Sequence, residues 1–381
     1  MALEKGRINS TSLTMLIFGF AVGSSIIAPP GRGAGTDAWI AILIGITEGL
    51  LIAAVFLILS KRFPNKTLVE ICDLVYSPYL GKIISILFLC YLFHLGSLVL
   101  SDFTEYLSSL LLVRTPPIVL VAAMSLICVS AAKKGIEVIA RCAVILVYVG
   151  VFFYLLTILL LLKNFEIKYL QPVLTIPTEQ LLWAAHGAAT FPFAETVAFL
   201  MVLPFLTNKR DAVPVTFKGI IFAGLVLTID AVLNIGILGA SEKVYLYPSY
   251  YAITTISIAE IITRVEIVAS LLVLAYGFLK IAVLLYGVSL GAAQVCSLRS
   301  YRPLVVPVAV LMSILALYNF PNPAEYIRFN HKIYPVYALP FQLVIPLLTL
   351  IIAIMRKTEQ RDGNSDPQGR RSPTESKRRL I

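Results

Sequence analysis

Residues 18–30 read Phe-Gly-Phe-Ala-Val-Gly-Ser-Ser-Ile-Ile-Ala-Pro-Pro, an apolar run interrupted by Gly23, Ser24 and Ser25. Residues 185–195 read Ala-His-Gly-Ala-Ala-Thr-Phe-Pro-Phe-Ala-Glu, a second apolar run that Pro192 interrupts. In lipid, irregular backbone is tolerated only where protein or a water-lined cavity satisfies its polar groups. Paired breaks of this kind are typical of a transporter-type site near the middle of the membrane. Two ordinary kinks, which are common in membrane helices, are the alternative interpretation.

The composition of the whole chain requires a membrane environment. Of its 381 residues, 59% are hydrophobic and only 14% are charged, against about 25% charged in an ordinary soluble domain. The net charge of +10 comes from Lys and Arg in short gaps between apolar runs and near the C-terminus. This distribution argues against nucleic-acid binding, which requires a basic face. The five cysteines lie far apart without a C-x-x-C pair, so neither a disulfide framework nor a zinc site is predicted.

Ten apolar runs approach the roughly 20 residues that a helix needs to cross the hydrocarbon core. We therefore predict an all-α integral membrane protein with ten transmembrane helices, at residues 13–29, 38–59, 83–112, 118–132, 138–162, 181–206, 219–240, 265–293, 305–320 and 334–355. Five helices per half make the halves inverted, so residues 12–162 and 179–355 are predicted to form a five-plus-five inverted repeat. The two interrupted runs are helices one and six of this repeat.

The distribution of positive charge predicts the orientation of the chain. With the N-terminus inside, the cytoplasmic segments hold 22 of the 31 Lys and Arg residues and the outer segments hold 8. Under the positive-inside rule both termini are predicted to be cytoplasmic. Residues 1–355 then form the membrane domain, and residues 356–381 form a basic tail predicted to be disordered. The tail either contacts anionic lipid or a partner protein, or is simply solvated, and both interpretations stay open at this point.

Charged side chains inside the predicted helices mark the protein interior, because a charge at the bilayer centre costs about 2.5 to 3.5 kcal/mol. Glu195 follows the second break by two residues and is either a proton carrier or a packing contact. Glu48 and Asp230 occupy equivalent places in the two halves, which favours a symmetric structural pair. Asp102 and Glu105 are predicted to lie in a vestibule near the outer end of helix three. The remaining candidates inside the helices are His94, His186, Glu266 and Lys280.

Three stretches of the chain resemble the spore germination permease family, the B subunits of nutrient germinant receptors in endospore-forming bacteria. They are residues 6–10 (Gly-Arg-Ile-Asn-Ser), residues 34–39 (Ala-Gly-Thr-Asp-Ala-Trp) and, most specifically, residues 63–71 (Phe-Pro-Asn-Lys-Thr-Leu-Val-Glu-Ile). The resemblance runs along essentially the whole chain to about Met355. It implies A and C receptor subunits as partners, a small germinant as ligand, and a location in the bacterial cytoplasmic membrane or the spore inner membrane.

This family belongs to the superfamily of amino acid, polyamine and organocation transporters, whose fold is a five-plus-five inverted repeat. Residues 23–26 (Gly-Ser-Ser-Ile) are similar to its Gly-Ser-Gly-Ile break in helix one, with Ser25 in place of the second glycine. Residues 191–195 (Phe-Pro-Phe-Ala-Glu) are similar to its Phe-rich segment in helix six, without the usual glycine and aromatic residue before the acid. Sodium-coupled members hold an ion between helices one and eight, close to the predicted place of Lys280. Its ammonium either substitutes for that ion, pairs with Glu195 or Asp230, or snorkels to the surface.

The resemblance implies that the ligand is a free amino acid. Its carboxylate is expected near residues 23–25, since the end of a broken helix carries partial positive charge, and its amino group near the carbonyls of the second break. The predicted ligand-binding residues are Gly23, Ser24, Ser25, Ile26, Ser97, Leu98, Ser101, Thr190, Phe191 and Phe193, and the predicted coupling or ion-pair residues are Glu195, Asp230 and Lys280. Ser97, Leu98 and Ser101 of helix three share one face of the helix, and packing against a neighbouring helix explains this pattern as well as ligand binding does.

Two functions remain open at this point. A germinant-receptor subunit binds a nutrient and passes a conformational signal to its partners, whereas a proton-coupled amino acid permease completes a transport cycle. A ligand shifts such a conformational equilibrium only through its differential affinity for the two states, so both functions use the same pocket. A membrane enzyme is a third class, for which we predict no catalytic residue, metal or cofactor: the chain has no P-loop or H-E-x-x-H motif, and His94 and His186 lack a third ligand.

Overall fold

The computed structural model describes residues 4, 6–256 and 265–358, and within these residues the chain is almost wholly helical, without a β-strand. Most of the predicted basic tail, residues 359–381, lies outside the described residues. The α-helices are α1 Ser10–Val22, α2 Ala38–Arg62, α3 Leu68–Val75, α4 Pro78–Tyr106, α5 Pro117–Lys134, α6 Ile136–Leu161, α7 Thr178–Ala188, α8 Ala212–Leu238, α9 Pro248–Thr254, α10 Val265–Val295, α11 Arg302–Tyr318, α12 Pro323–Arg328, α13 Tyr334–Leu339 and α14 Ile345–Met355.

Seven helical segments of the described chain are long and apolar enough to cross a membrane. They are Arg32–Arg62, Pro78–Leu111, Pro117–Lys134, Ile136–Asn164, Lys209–Lys243, Glu266–Val295 and Pro323–Met355. Helices α1 and α11 are apolar but shorter, and the second broken run consists of α7 and the turns that follow it. The count of ten membrane helices therefore stays a prediction, while the all-α membrane class is confirmed.

The first break follows α1 directly. Asn9 caps the helix by accepting a hydrogen bond from the Ser12 amide at 2.7 Å, and the helix ends at Val22. A Cβ on Gly23 would lie 3.2 Å from the Cβ of Lys280 and 3.2 Å from the carbonyl oxygen of Tyr276. Glycine at this position therefore lets the end of α1 approach the backbone of α10 closely.

The second break follows α7. The chain passes through a π-helical turn, Ala189–Phe193, in which Phe191 has the non-helical angles φ −132° and ψ 112°. It continues as a 3₁₀ helix, Ala194–Met201, because Pro192 lacks an amide donor and clashes with a regular preceding turn. Both predicted breaks are confirmed, so irregular backbone occurs at two places inside the apolar bundle.

Small residues bring α2 and α8 against the second break. A Cβ on Gly49 would lie 2.5 Å from the Cβ of Phe193, and one on Gly224 would lie 2.4 Å from Ile46 and 3.3 Å from the Phe193 ring. Helices in membranes usually associate by close approach through small residues, because the hydrophobic effect does not drive helix association in lipid. Phe193 is therefore held in the contact between these helices.

The loops predicted to lie on one side of the membrane meet at one end of the bundle. Ile8 donates its amide to the Phe205 carbonyl at 2.9 Å and accepts from the Thr207 amide at 2.9 Å. The Arg62 side chain donates to the Thr358 carbonyl at the same end. At the opposite end Arg32 pairs with Glu242 at 2.9 Å, which joins two predicted outer loops. Which end faces the cytoplasm stays a prediction from charge.

Candidate functional site

A buried ion pair lies where the two broken segments meet α10. The ammonium of Lys280 is 2.6 Å from Oε2 of Glu195, and both side chains have no exposed surface. The same ammonium donates to the Ser24 hydroxyl oxygen at 3.0 Å. Of the alternatives for Lys280, the structure selects pairing with Glu195 over Asp230, and complete burial contradicts snorkelling because that requires the charged head to reach water.

Two aromatic rings cover the ammonium of Lys280. Its nitrogen lies 5.3 Å from the ring centroid of Phe20 and 4.8 Å from that of Phe191. A cation above an aromatic face within about 6 Å is attracted by the ring quadrupole, more strongly when desolvated. The ion pair is thus closed off by apolar rings that also stabilise its positive member.

A chain of hydrogen bonds extends from Glu195 into the second half of the bundle. The Tyr334 hydroxyl donates to Oε1 of Glu195 and lies 3.2 Å from the Tyr91 hydroxyl. The Gln342 amide nitrogen donates to the Tyr91 hydroxyl at 2.8 Å and to the Thr190 carbonyl at 2.9 Å. Sequence reasoning missed Tyr91, Tyr334 and Gln342, because a tyrosine or glutamine in an apolar run gives no sign of which helix it faces. The chain ties the carboxylate to α4, α13 and the second break.

A cavity of about 470 Å³ opens at the predicted outer end and ends above the ion pair. We call it the outer vestibule; its floor is formed by Phe191 and Tyr334, the residues that contact Lys280 and Glu195. Its remaining wall comes from the loop after α1, from α7, from the segment after α8, from α12 and from the turn after α12. Its acidic and basic residues are Arg32, Glu242, Lys243, His331 and Lys332. The vestibule is the cavity that reaches the central pair most directly.

Most of the predicted ligand hydroxyls bond to the backbone of their own segments. Ser25 donates to the Ala21 carbonyl at 2.8 Å, Thr190 to the His186 carbonyl at 3.0 Å, and Ser97 to the His94 carbonyl at 2.7 Å. Such bonds satisfy a buried hydroxyl without any ligand. Ser24 is the predicted hydroxyl that contacts the ion pair.

The other predicted ligand residues are distributed over separate places. Phe191 lines the outer vestibule, Ser101 lines a smaller cavity beside it, and Ile26 lines an apolar cavity of about 70 Å³ between α1, α6, α8 and α10. Leu98 is buried in the apolar core, and Phe193 packs against Gly49 and Gly224. The structure therefore brings Ser24, Phe191, Glu195 and Lys280 together, and does not gather the whole predicted set around one cavity.

Asp230 and Glu48 make separate local contacts. Oδ2 of Asp230 accepts hydrogen bonds from Asn234 at 3.0 Å and from the Ser249 hydroxyl at 2.8 Å, which joins α8 to α9. Glu48 on α2 pairs with His186 on α7 at 2.6 Å. Each of these carboxylates has partners near it in the chain or on the adjacent helix, which accords with structural roles.

A large polar cavity of about 710 Å³ lies at the other end, predicted to face the cytoplasm. Its wall includes Arg7, Asn65, Thr67, Glu70 and Lys209. Two of the stretches on which the family resemblance rests, residues 6–10 and 63–71, therefore meet around this cavity. The Thr67 hydroxyl and the Glu70 carboxylate also form a capping box at the start of α3, which fixes this loop.

Two motifs of enzymes can be compared with the described residues. Among the described residues no group of three His, Cys, Asp or Glu side chains is placed to hold a metal ion. Residues 287–291 match the G-x-S-x-G pattern of hydrolases, but they lie inside α10 with Ser289 fully buried. A nucleophile elbow requires an exposed serine on a sharp turn between a strand and a helix.

Two interrupted helices meet at a buried ion pair below the outer vestibule, an arrangement typical of transporter-type membrane folds. The structure aligns with the nucleobase-cation-symport-1 family transporter MHP1, solved closed with bromovinylhydantoin bound, at a TM-score of 0.69 and 13% identity, covering 90% of this chain and 78% of that one. It aligns with MhsT in complex with L-phenylalanine at 0.62 and 13%, covering 92% and 99%. The fold is that of these transporters.

The chain belongs to the spore germination protein family, whose sequence profile matches residues 7–324. It is 28% identical over 371 residues to spore germination protein KB of Bacillus subtilis (strain 168), covering 96% of this chain and 99% of that protein. The resemblance seen in the sequence is thereby confirmed. Family and fold together describe an integral membrane protein of spore germination, and neither suggests catalysis.

Proposed function

We propose that the protein is the membrane subunit of a spore nutrient germinant receptor that binds a free amino acid and signals to A and C receptor subunits in the spore inner membrane. Membership of the spore germination protein family supports the role in germination. The transporter fold supports a pocket for a small molecule, and one protein with this fold was solved with L-phenylalanine. Under the orientation that the positive-inside rule predicts, both termini lie in the cytoplasm or spore core.

The floor of the outer vestibule is the observation that carries the proposal. Phe191 lines the vestibule, and its ring centroid lies 4.8 Å from the Lys280 side-chain nitrogen. Tyr334 lines the same cavity and donates to Glu195. A ligand in the vestibule therefore contacts residues that touch the ion pair between the two breaks. Such a ligand shifts the protein between two conformations if it binds the vestibule floor more tightly in one conformation than in the other.

The vestibule carries the charge that a carboxylate requires. Arg32 is paired with Glu242, whereas Lys243 and Lys332 form no ion pair within the described ranges. A cleft lined by one sign of charge concentrates ligands of the opposite sign. The deeper position expected for the carboxylate, around residues 23–25, is occupied by Lys280, which packs on Gly23 and donates to Ser24. We therefore place the ligand carboxylate in the vestibule in this conformation.

Lys280 supports binding that does not need sodium. Its side-chain nitrogen lies at the contact between the first break and α10 and donates hydrogen bonds to Glu195 and Ser24. A bound cation at this contact would face repulsion from it, because like charges close together in a medium of low dielectric constant repel strongly.

A binding experiment tests the proposal. We would reconstitute the purified protein in lipid nanodiscs and measure the thermal shift given by each of the twenty common L-amino acids. At least one is expected to stabilise the wild type, and Phe191→Ala is expected to weaken that binding at least tenfold, since the ring forms the vestibule floor. Phe222→Ala on the exposed face of α8 is the matched control and is expected to bind normally. No stabilisation by any of the twenty amino acids would contradict the amino acid as ligand.

A proton-coupled amino acid permease is the second candidate, and the transporter fold favours it. Counterflow of the bound amino acid in liposomes distinguishes the two functions. Counterflow that Phe191→Ala abolishes would establish transport. Binding without counterflow by the folded protein would favour a receptor subunit. In that case, spores that carry the Phe191→Ala protein instead of the wild type are expected not to germinate in response to the amino acid.

A further inference from the structure

A second cavity of about 180 Å³ lies beside the outer vestibule, between α4, the loop after α8 and the start of α12. It shares Leu246, Pro323 and Tyr326 with the vestibule wall. Its charged wall residues are Asp102 and Glu105, so the two adjoining cavities carry opposite charge. We call it the Asp102 pocket.

Asp102 is buried without a cation beside it. Its side chain is only 8% exposed, and in residues 4, 6–256 and 265–358 no Lys, Arg or His lies within ion-pair distance. The buried Tyr326 hydroxyl approaches the carboxylate without completing a hydrogen bond of good geometry. Burying an ionised carboxylate is costly unless it is paired. A cation that enters the pocket would therefore satisfy both groups.

The more distant charges do not replace such a partner. Lys280 is paired with Glu195 at 2.6 Å and does not form an ion pair with Asp102. Glu105 on the next turn of α4 lines the same pocket and adds negative charge. Both charged side chains on the wall of the Asp102 pocket are therefore acidic.

The lining of the pocket suits an organic ammonium group. The wall of the pocket includes the aromatic residues Tyr247, Tyr326 and Phe320 and the hydroxyl-bearing Ser101. Aromatic faces attract an ammonium group, and a carboxylate gives it a charge-assisted hydrogen bond. The two cavities adjoin at Leu246, Pro323 and Tyr326, and an amino acid carries its ammonium and carboxylate groups on a single carbon.

We propose that the Asp102 pocket binds the primary ammonium group of a zwitterionic germinant, while the cationic vestibule binds its carboxylate. The inference rests on the proposed function for its zwitterionic ligand, but the pocket chemistry itself requires only a cation. Tyr326, at the wall between the cavities, borders both ends of the ligand. The proposal replaces the carbonyls of the second break, expected from the resemblance, as the partner of the amino group.

The first arm of the test compares ligands with and without the amino group. In nanodiscs, the amino acid that binds the wild type most tightly is compared with the carboxylic acid that lacks its amino group. The wild type is expected to prefer the amino acid by about 10- to 100-fold, the range given by one hydrogen bond to a charged group. Asp102→Asn is expected to bring the preference within about threefold, and Asp102→Glu to restore most of it. Asp73→Asn, an exposed acid on α3, is the matched control and is expected to keep the preference.

The second arm uses ethylammonium, which has the cation and no carboxylate. Saturation-transfer NMR is expected to show its binding to the wild type, to Asp102→Glu and to Asp73→Asn, and to show none for a folded Asp102→Asn. Amino acid binding whose preference survives Asp102→Asn would overturn the pocket and leave the proposed function standing. Ethylammonium binding that depends on Asp102, without binding of any amino acid, would support the pocket and overturn the ligand class. Absence of both would overturn both.

Discussion

Replacing Lys280 by methionine is expected to destabilise the protein strongly. Its ammonium is bonded to Glu195 and to Ser24, and no part of Lys280 or Glu195 is exposed. The substitution Lys280→Met keeps the length and apolar stem of the side chain but leaves the Glu195 carboxylate with the Tyr334 hydroxyl as its hydrogen-bond donor and without its cation. Removal of one partner of a buried pair typically costs about 3 to 5 kcal/mol, because the other charge stays buried.

The size of the mutual interaction follows from a double-mutant cycle. Glu195→Gln alone leaves the ammonium of Lys280 buried without its anion, so we expect a loss of similar size, about 3 to 5 kcal/mol. The double variant buries no unpaired charge and is expected to lose much less than the sum. We expect a coupling energy of about 2 to 3 kcal/mol, near the upper end for residues in direct contact.

The assay is unfolding in mixed micelles, followed by circular dichroism as denaturing detergent is added. The control is the same cycle for Arg141 and Glu137 on α6, where the charged groups lie 2.5 Å apart but are 75% and 38% exposed. An exposed pair at this helical spacing is expected to contribute about 0.3 to 0.5 kcal/mol. The two cycles thus compare similar chemistry at different burial.

Additive effects of the two core substitutions would refute the reasoning. A coupling energy no larger than that of the exposed control would show that Lys280 and Glu195 do not act as a pair in the folded protein. A Lys280→Met protein as stable as the wild type would refute it as well.

Three further predictions concern packing, hydrogen bonding and ions. Gly49→Ala places a Cβ 2.5 Å from that of Phe193 and should lower the free energy of unfolding by about 1 to 3 kcal/mol. The control Gly33→Ala, whose new Cβ has its nearest atom at 3.5 Å, should change that free energy by less than about 0.5 kcal/mol. Equal effects of the two substitutions would contradict the packing argument. Tyr334→Phe removes a hydrogen bond to Glu195 and should cost about 1.5 to 3 kcal/mol in the same unfolding assay, and an unchanged midpoint would argue against that bond. Replacing sodium by potassium should leave ligand affinity unchanged because the Lys280 side chain already occupies the contact between the first break and α10, and a tenfold loss measured by titration would disprove it.

Helix positions in the membrane were largely accessible from hydropathy. The predicted helix at 38–59 corresponds to α2, Ala38–Arg62, and the one at 118–132 to α5, Pro117–Lys134. The short helices α3 and α9 escaped this reasoning because they have eight and seven residues, well below the length that crosses a bilayer. Helix α3 is recognisable instead from its capping box at Thr67 and Glu70.

The site was accessible only in part. Glu195 and Lys280 stand out in sequence because ionisable residues are rare and expensive inside membrane helices. Tyr334 does not stand out, because a tyrosine in an apolar run is equally compatible with lipid, core or cavity. Phe193 was expected at the ligand and packs against α2, since the change of direction at the second break decides which way each side chain points.

By itself, the amino-acid sequence determined that this protein is an all-helical membrane protein with two interrupted helices and ionisable residues near the second interruption. Composition, breakers and charge are local properties that act on each segment before any segment meets another. Only the tertiary structure decided that Lys280 pairs with Glu195, that Tyr334 forms part of the vestibule floor and that Asp102 has no ion-pair partner among the described residues. These outcomes depend on how helices distant in sequence rotate and approach one another. The packing of small and large side chains determines that arrangement, and hydropathy contains no information about it.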